Sequence, residues 1–365
     1  MNKKAKNFLI QIGLGVLLGL ALGGGLAQFE QSYYLGWDIL FYFLAFSVIA
    51  FIIHIVVHEA GHGFFGYLYG FELVSFRIAS YMWVNDQGKI HFKRLKVLGT
   101  LGQCLMQPPK NENLKAAFLY NIGGGLTNLL TALLFFLLSF LWKDMLFQVF
   151  CFSMIAIGVL AAFSNLLPMD AQAPNDGYHT YWLLKESESV HSLYQQLLLA
   201  KDMADGKRME EMDPTLFGLY ENANMKNPLN ICIAANKVSY LIDKEDYDSA
   251  RVLADSLLKL DLDDLFHNSV FCDRLLIALL CDEKEYITQA MNEKTKRNFE
   301  KNRSDVSKLL VLYGIDLLVD KNHEKARVDL KYLKDAQKNY PYQGIVESMN
   351  KSQRLLERKS EENES

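Results

Sequence analysis

The sequence predicts an all-α membrane protein: about four transmembrane helices with a small β-hairpin between two of them, then a cytosolic α-helical repeat-like domain. Three observations predict it. Charge is unevenly placed, with 12 Lys/Arg and 9 Asp/Glu in residues 1–185 against 26 and 33 in residues 186–365. The first part holds four apolar stretches long enough to cross a bilayer. The second part carries amphipathic helical patterns that return at a nearly constant interval. The 365 residues leave room for two domains. A single soluble globule and a disordered chain are excluded by this division. The five cysteines (Cys104, Cys151, Cys232, Cys272 and Cys281) form no C-x-x-C pair, which excludes a disulfide scaffold and a zinc finger. A formal net charge of −4 gives no sign of a nucleic-acid partner.

The first span runs from about Phe8 to Ala27, behind Lys3, Lys4 and Lys6. Its apolar run is longer than the roughly 7–15 residues of a signal-peptide core, so a retained helix is expected rather than a cleaved leader. The second runs from about Ile39 to Tyr69, the third from about Ala116 to Trp142, the fourth from about Leu146 to Met169. Basic residues cluster before the first span and between the second and third: Arg77, Lys89, Lys93, Arg94, Lys96 and Lys110. The opposite loops hold only Lys143. The positive-inside rule then puts both termini and the long loop in the cytosol, as an even number of spans requires. A bacterial cell membrane suits this pattern.

The second span contains His58-Glu59-Ala60-Gly61-His62, an H-E-x-x-H motif. Residues four apart share a helix face, so both imidazoles can reach one Zn²⁺. Glu59 lies one step round the helix, placed to act as base for a water at the metal. Histidine and glutamate are expensive in hydrocarbon and mark function there. The bland reading is a polar pair joining helices. His54 lies four residues upstream on the same face, either a third ligand or, more in keeping with its position, a residue supporting the ligands or the packing.

A zinc site needs another protein ligand. The end of the fourth span supplies candidates in Asn165-Leu166-Leu167-Pro168-Met169-Asp170 and Asn175-Asp176-Gly177. Pro168 and Pro174 break the helix there. Irregular backbone at membrane depth is tolerated only inside protein or a wet cavity. Asp170 and Asp176 both qualify on chemistry alone.

These residues together resemble the site-2 protease family of intramembrane zinc metalloproteases. The resemblance covers roughly residues 39–185, a three-helix protease core. It implies His58 and His62 as zinc ligands and Glu59 as the catalytic glutamate. It implies Asp176, in its Asp-Gly pair, as the aspartate ligand, with Asp170 as the fallback because the gap from Pro168 is longer than in the common pattern. Asn165 matches a family asparagine tied to substrate binding or the oxyanion. Asn121-Ile122-Gly123-Gly124-Gly125-Leu126-Thr127-Asn128 is similar to the family's small-residue element in the middle span. No segment reads as a PDZ domain.

Between spans two and three, Leu73–Ile78 and Lys89–Phe92 read as short strands around an Asn85-Asp86-Gln87-Gly88 turn. The resemblance implies a small sheet that holds substrate as an added strand; an interfacial linker is the bland alternative.

Residues 1–38 are thus read as an N-terminal helix and loop, 39–185 as the core, and 186–228 as a charged linker. Residues 229–350 are read as helical hairpins, and 351–365 as a disordered tail. Second helices of the hairpins begin near 247, 286 and 323, a spacing of about 38, which resembles degenerate tetratricopeptide hairpins, whose usual period is about 34, without their Trp-Leu-Gly signature. Stacked hairpins leave a concave face for a cytosolic protein partner.

The expected function is a zinc endopeptidase, with one Zn²⁺ per chain, cutting a transmembrane or membrane-inserted peptide near the cytosolic face of the lipid bilayer. The alternative is an inactive membrane-anchored scaffold acting through its helical repeats. A zinc transporter is disfavoured because the ionisable residues form one cluster rather than a path.

Overall fold

The computed structural model describes residues 38–86, 89–94, 101–169, 174–301, 305–338, 340 and 342–364. The chain divides into two compact units, one of Met1–Ala79 with Leu98–Val190, the other of Ser80–Val97 with His191–Ser365. The expected first span lies outside the described residues, as does Asp170.

Among the described residues of the first unit, three helices are long and apolar enough to cross a membrane: α1 (Asp38–Leu68), α2 (Leu114–Leu138) and α3 (Met145–Leu166). Their 31, 25 and 22 residues exceed the ~20 that span a hydrocarbon core. Each starts or stops where the sequence supplies a partner for orphan backbone groups. Asn113 accepts from Ala116 N at 3.2 Å to open α2, and Asp144 accepts from Phe147 N at 3.0 Å to open α3. Past α1, Gly70 adopts φ +82°, and Phe71 N returns to Gly66 O at 3.1 Å. This left-handed closure suits glycine.

Large apolar side chains such as Phe41, Val48, Phe64, Leu134 and Phe163 point outward, as lipid contact requires. The three helices pack on one another through small residues. A Cβ on Gly61 would lie 2.5 Å from the Gly123 carbonyl oxygen, and one on Gly123 would lie 2.8 Å from that of Gly61. Backbones so close gain van der Waals contact that lipid-facing leucines cannot supply.

Beyond α1, β1 (Glu72–Ile78) pairs antiparallel with β4 (Gly102–Gln107), from Glu72↔Gln107 to Ile78↔Gly102, with an irregularity between Leu73 and Ser75. This corrects the expected hairpin. β2 (Tyr81–Asp86) pairs antiparallel with β3 (Lys89–Arg94), whereas Leu73–Ile78 pairs with a strand the sequence reading did not contain. A short helix, α4 (Asp176–Lys185), follows α3.

In the second unit, α5 (Ser189–Ala204) and two 3₁₀ turns (Met209–Glu211, Pro214–Phe217) occupy residues read as a charged linker. Leu199, Met209, Met212 and Phe217 are buried together, which accounts for the order. Then come α6 (Pro228–Asp243), α7 (Tyr247–Leu257), α8 (Asp264–Leu280), α9 (Lys284–Ala290), α10 (Glu293–Lys301), α11 (Val306–Leu318), α12 (His323–Lys338) and α13 (Gln343–Glu364). Residues 351–364, read as a disordered tail, are the end of α13. Their charged surface conceals Leu356, fully buried in the main core, and Glu357 accepts from Tyr313 Oη at 3.0 Å. Arg274 ties α7 to α9, donating to Asp255 at 2.7 Å and Glu283 at 2.5 Å beneath Tyr286.

Burial pushes the Asp273 carboxyl on α8 up to about 7, although Ser239 Oγ donates to it at 2.7 Å. The folded chain therefore holds a proton that the unfolded chain releases near 3.8. This contribution to stability is complete below pH 3.8, is lost as pH rises to about 7, and is constant above. Asp273→Asn should remove that decline and raise the melting midpoint of the helical unit at pH 8 relative to wild type. Thermal unfolding of the full chain at pH 5 and pH 8 checks it.

Candidate metal centre and its buried glutamate

On α1 the 3.6-residue period stacks His54, His58 and His62 along one face, with Glu59 beside them. All four are buried. The face meets α2 and the start of α4.

His58 Nε2 lies 3.1 Å and His62 Nε2 3.4 Å from Asp176 Oδ2, and the two Nε2 atoms are 3.2 Å apart. All three ligand atoms fall within 4.8 Å of one another. For bonds of about 2.0–2.2 Å, donor atoms at the corners of a zinc tetrahedron stand about 3.3–3.6 Å apart. Two imidazoles and one carboxylate at this spacing fit such an ion. Burial works against the charge of Asp176, but His62 and His58 hold its carboxyl far below the usual carboxylate range. Among the described residues, His54 is not part of the cluster.

His62 Nδ1–H donates to the Tyr120 carbonyl at 2.6 Å. In a singly protonated ring that bond leaves Nε2 bare and turned to the cluster. Tyr120 is itself fixed by its hydroxyl, which donates to Cys104 O at 2.7 Å, and by stacking on Phe71.

Asp176 owes its position to Asn175, which the sequence reading passed over. The Asn175 amide donates to Ser164 O at 2.8 Å and Leu167 O at 2.7 Å, at the end of α3. Its oxygen accepts from Met169 N at 3.1 Å and Tyr178 N at 2.9 Å, the latter capping α4. One side chain thus joins the last turn of α3 to the first turn of α4, and Asp176 follows it directly. Gly177 is needed because a Cβ there would sit 2.3 Å from Leu166 O. An asparagine just before Asp-Gly, after a proline break, is an N-cap signal that the sequence did carry.

Glu59 faces the start of β4. A Cβ on Gly102 would fall 2.1 Å from Glu59 Oε1, so any larger residue there would displace the carboxylate. Arg77, 1% exposed, holds this end of the sheet by donating to Ala79 O at 2.6 Å and Gly102 O at 3.0 Å. Burial and the nearby Glu59 push the Cys104 thiol up to about 12, so it supplies no thiolate at neutral pH. Asn165 sits on the last turn of α3, where its amide donates to Ala161 O at 3.0 Å. That bond uses one of its two N–H groups and leaves the other able to donate.

A carboxylate thus stands beside two histidines and an aspartate that could hold a metal ion, at helices long and apolar enough to cross a membrane. The model of peptidase family M50 matches residues 46–310. The chain belongs to that family, the membrane metalloproteases of the site-2 type. No curated protein and no solved structure matched the chain.

Proposed function

We propose that this protein is an intramembrane zinc endopeptidase, with His58, His62 and Asp176 as the metal ligands and Glu59 as the general base. The observation that carries the reading is the convergence of three ligand atoms within 4.8 Å beside a buried glutamate. Zinc bound there would supply a Lewis acid that acidifies water and polarises a carbonyl. The rest falls to the chain. Glu59 takes the proton of the attacking water on a carboxylate oxygen and hands it to the departing amine nitrogen. Water without a base is a poor nucleophile, and an amine anion is a poor leaving group, so this transfer lowers both barriers. Asn165, through the N–H not bonded to Ala161, is our candidate for the oxyanion contact.

The substrate is a membrane-spanning or membrane-inserted peptide, unwound at the scissile bond. β4 begins against Glu59, and among the described residues its ladder is with β1. A substrate strand laid along it would bring an extended backbone past the carboxylate. The basic loop supports a cytosolic face for this end of the site, and with it a cytosolic side for both termini and the helical unit. The helical unit, with its paired helices, is the candidate site for a cytosolic protein partner.

The test is cleavage of a panel of single-span peptides by the purified full chain, with Glu59→Gln alongside. Cleavage by wild type alone supports the protease. Bound zinc in both with cleavage by neither turns the assignment to a membrane-anchored scaffold.

A further inference from the structure

A histidine that binds metal through Nε2 must carry its proton on Nδ1 and needs an acceptor there. His62 has the Tyr120 carbonyl. For His58 the group in range is the carboxamide of Asn128, on α2, whose Nδ2 is placed 3.2 Å from His58 Nδ1. Its other end, Oδ1, stands 3.1 Å from His54 Nδ1, and His54 Nε2 lies 2.9 Å from the Met154 carbonyl on α3. His54 is 1% and Asn128 0% exposed, so no solvent substitutes for a missing partner.

A carbonyl oxygen only accepts, so the proton of a singly protonated His54 ring sits on Nε2 and donates to Met154 O. His54 Nδ1 is then a bare nitrogen and needs a donor. Asn128 meets that need by turning Nδ2 to His54 and Oδ1 to His58. The two ends of a carboxamide are isosteric, and a half-turn about Cβ–Cγ exchanges them without displacing a neighbour. His58 Nδ1 must then be N–H, and its Nε2 is left bare, facing His62 and Asp176. Each bond runs one way, from His58 through Asn128 and His54 to the Met154 carbonyl. The seat of His54 is built for this. A Cβ at position 158 would lie 2.5 Å from its Cε1, so Gly158 is what admits the ring between α1 and α3.

We propose that Asn128 and His54 are positioning residues that fix ligand His58 in the Nδ1–H tautomer, with the Met154 carbonyl as the fixed end of the chain. This rests on the reading of His58 as a ligand. It assigns His54 a task in place of the ligand role the sequence left open, and gives the Asn at the end of the small-residue element a chemical one.

The test uses the full chain in detergent, with zinc affinity measured by competition against a chelator of known strength. Asn128→Leu removes the acceptor and should weaken zinc about 10–100-fold. Asn128→Asp keeps an acceptor for His58 Nδ1–H and should hold zinc within a few-fold of wild type. A packing role would give the reverse order, because leucine suits a buried site better than a carboxylate. Leucine at wild-type affinity, or aspartate weaker than leucine, overturns the proposal. If the leucine variant fails to fold, the ring ¹⁵N spectrum of zinc-loaded wild type decides. Nε2–H on His54 with Nδ1–H on His58 supports the relay, and the opposite tautomer on either ring overturns it. Wild type that binds no zinc overturns the metal reading itself, and the relay with it.

Discussion

Glu59→Gln is expected to abolish peptide cleavage while leaving zinc in place. Glutamine keeps the shape and one acceptor oxygen of glutamate but takes up no proton at neutral pH. General base catalysis contributes typically about 10²–10⁴-fold, and here one group serves both the attack and the departure, so the upper end of that range applies. The ligand set is untouched, because Glu59 lies beside the His58–His62–Asp176 cluster and is not part of it. Gly102, packed against the carboxylate, meets a side chain of the same length. Activity and bound metal should therefore separate, with cleavage lost and about one zinc per chain retained. Equal loss of both would show that Glu59 holds the site together instead of moving protons.

Gly124→Ala should do the opposite, removing the metal and with it the activity. A Cβ at position 124 would stand 2.5 Å from His58 Cε1 and 2.6 Å from both His58 Nε2 and His62 Nε2. A methyl group there enters the space between the ligand nitrogens, and the rings cannot retreat, since His62 is tied to Tyr120 and His58 to Asn128. Alanine also raises helix propensity over glycine, so α2 should persist while zinc affinity falls by at least about 10²-fold, beyond what losing one outer hydrogen bond costs. Chelator competition together with circular dichroism checks this pair of outcomes. Unchanged zinc affinity in a folded variant would mean that the ion does not sit between His58 and His62.

These two variants also mark what the sequence could reveal. H-E-x-x-H is legible because a helix places i and i+4 together whatever else the chain does, and the apolar run around it fixes the helix. The bounds of α1–α3 follow from local caps and breakers: Gly70, Asn113, Asp144 and Pro168. Asp176 is 118 residues from His58, and no periodicity joins them, so only the family resemblance singled it out against Asp170. β4 escaped because its partner, β1, is 35 residues away at Glu72↔Gln107, and a six-residue strand carries little signal of its own. Asn128 and His54 were visible as residues, but their link depends on the contact of α1 with α2 and α3. Residues 351–364 misled by charge. A helix needs one apolar stripe to dock, and Leu356 on α13 supplies it.

Zinc-edge X-ray absorption on the purified full chain, with metal quantified in the same sample, decides whether two imidazoles and the Asp176 carboxylate hold one zinc for Glu59 to work beside. About one zinc per chain is expected, with nitrogen and oxygen neighbours at about 2.0–2.2 Å, two of them imidazole, and no sulfur. Asp176→Ala should lose the metal. A sulfur neighbour at about 2.3 Å, zinc unaffected by Asp176→Ala, or no zinc at all would rule out a site made of His58, His62 and Asp176.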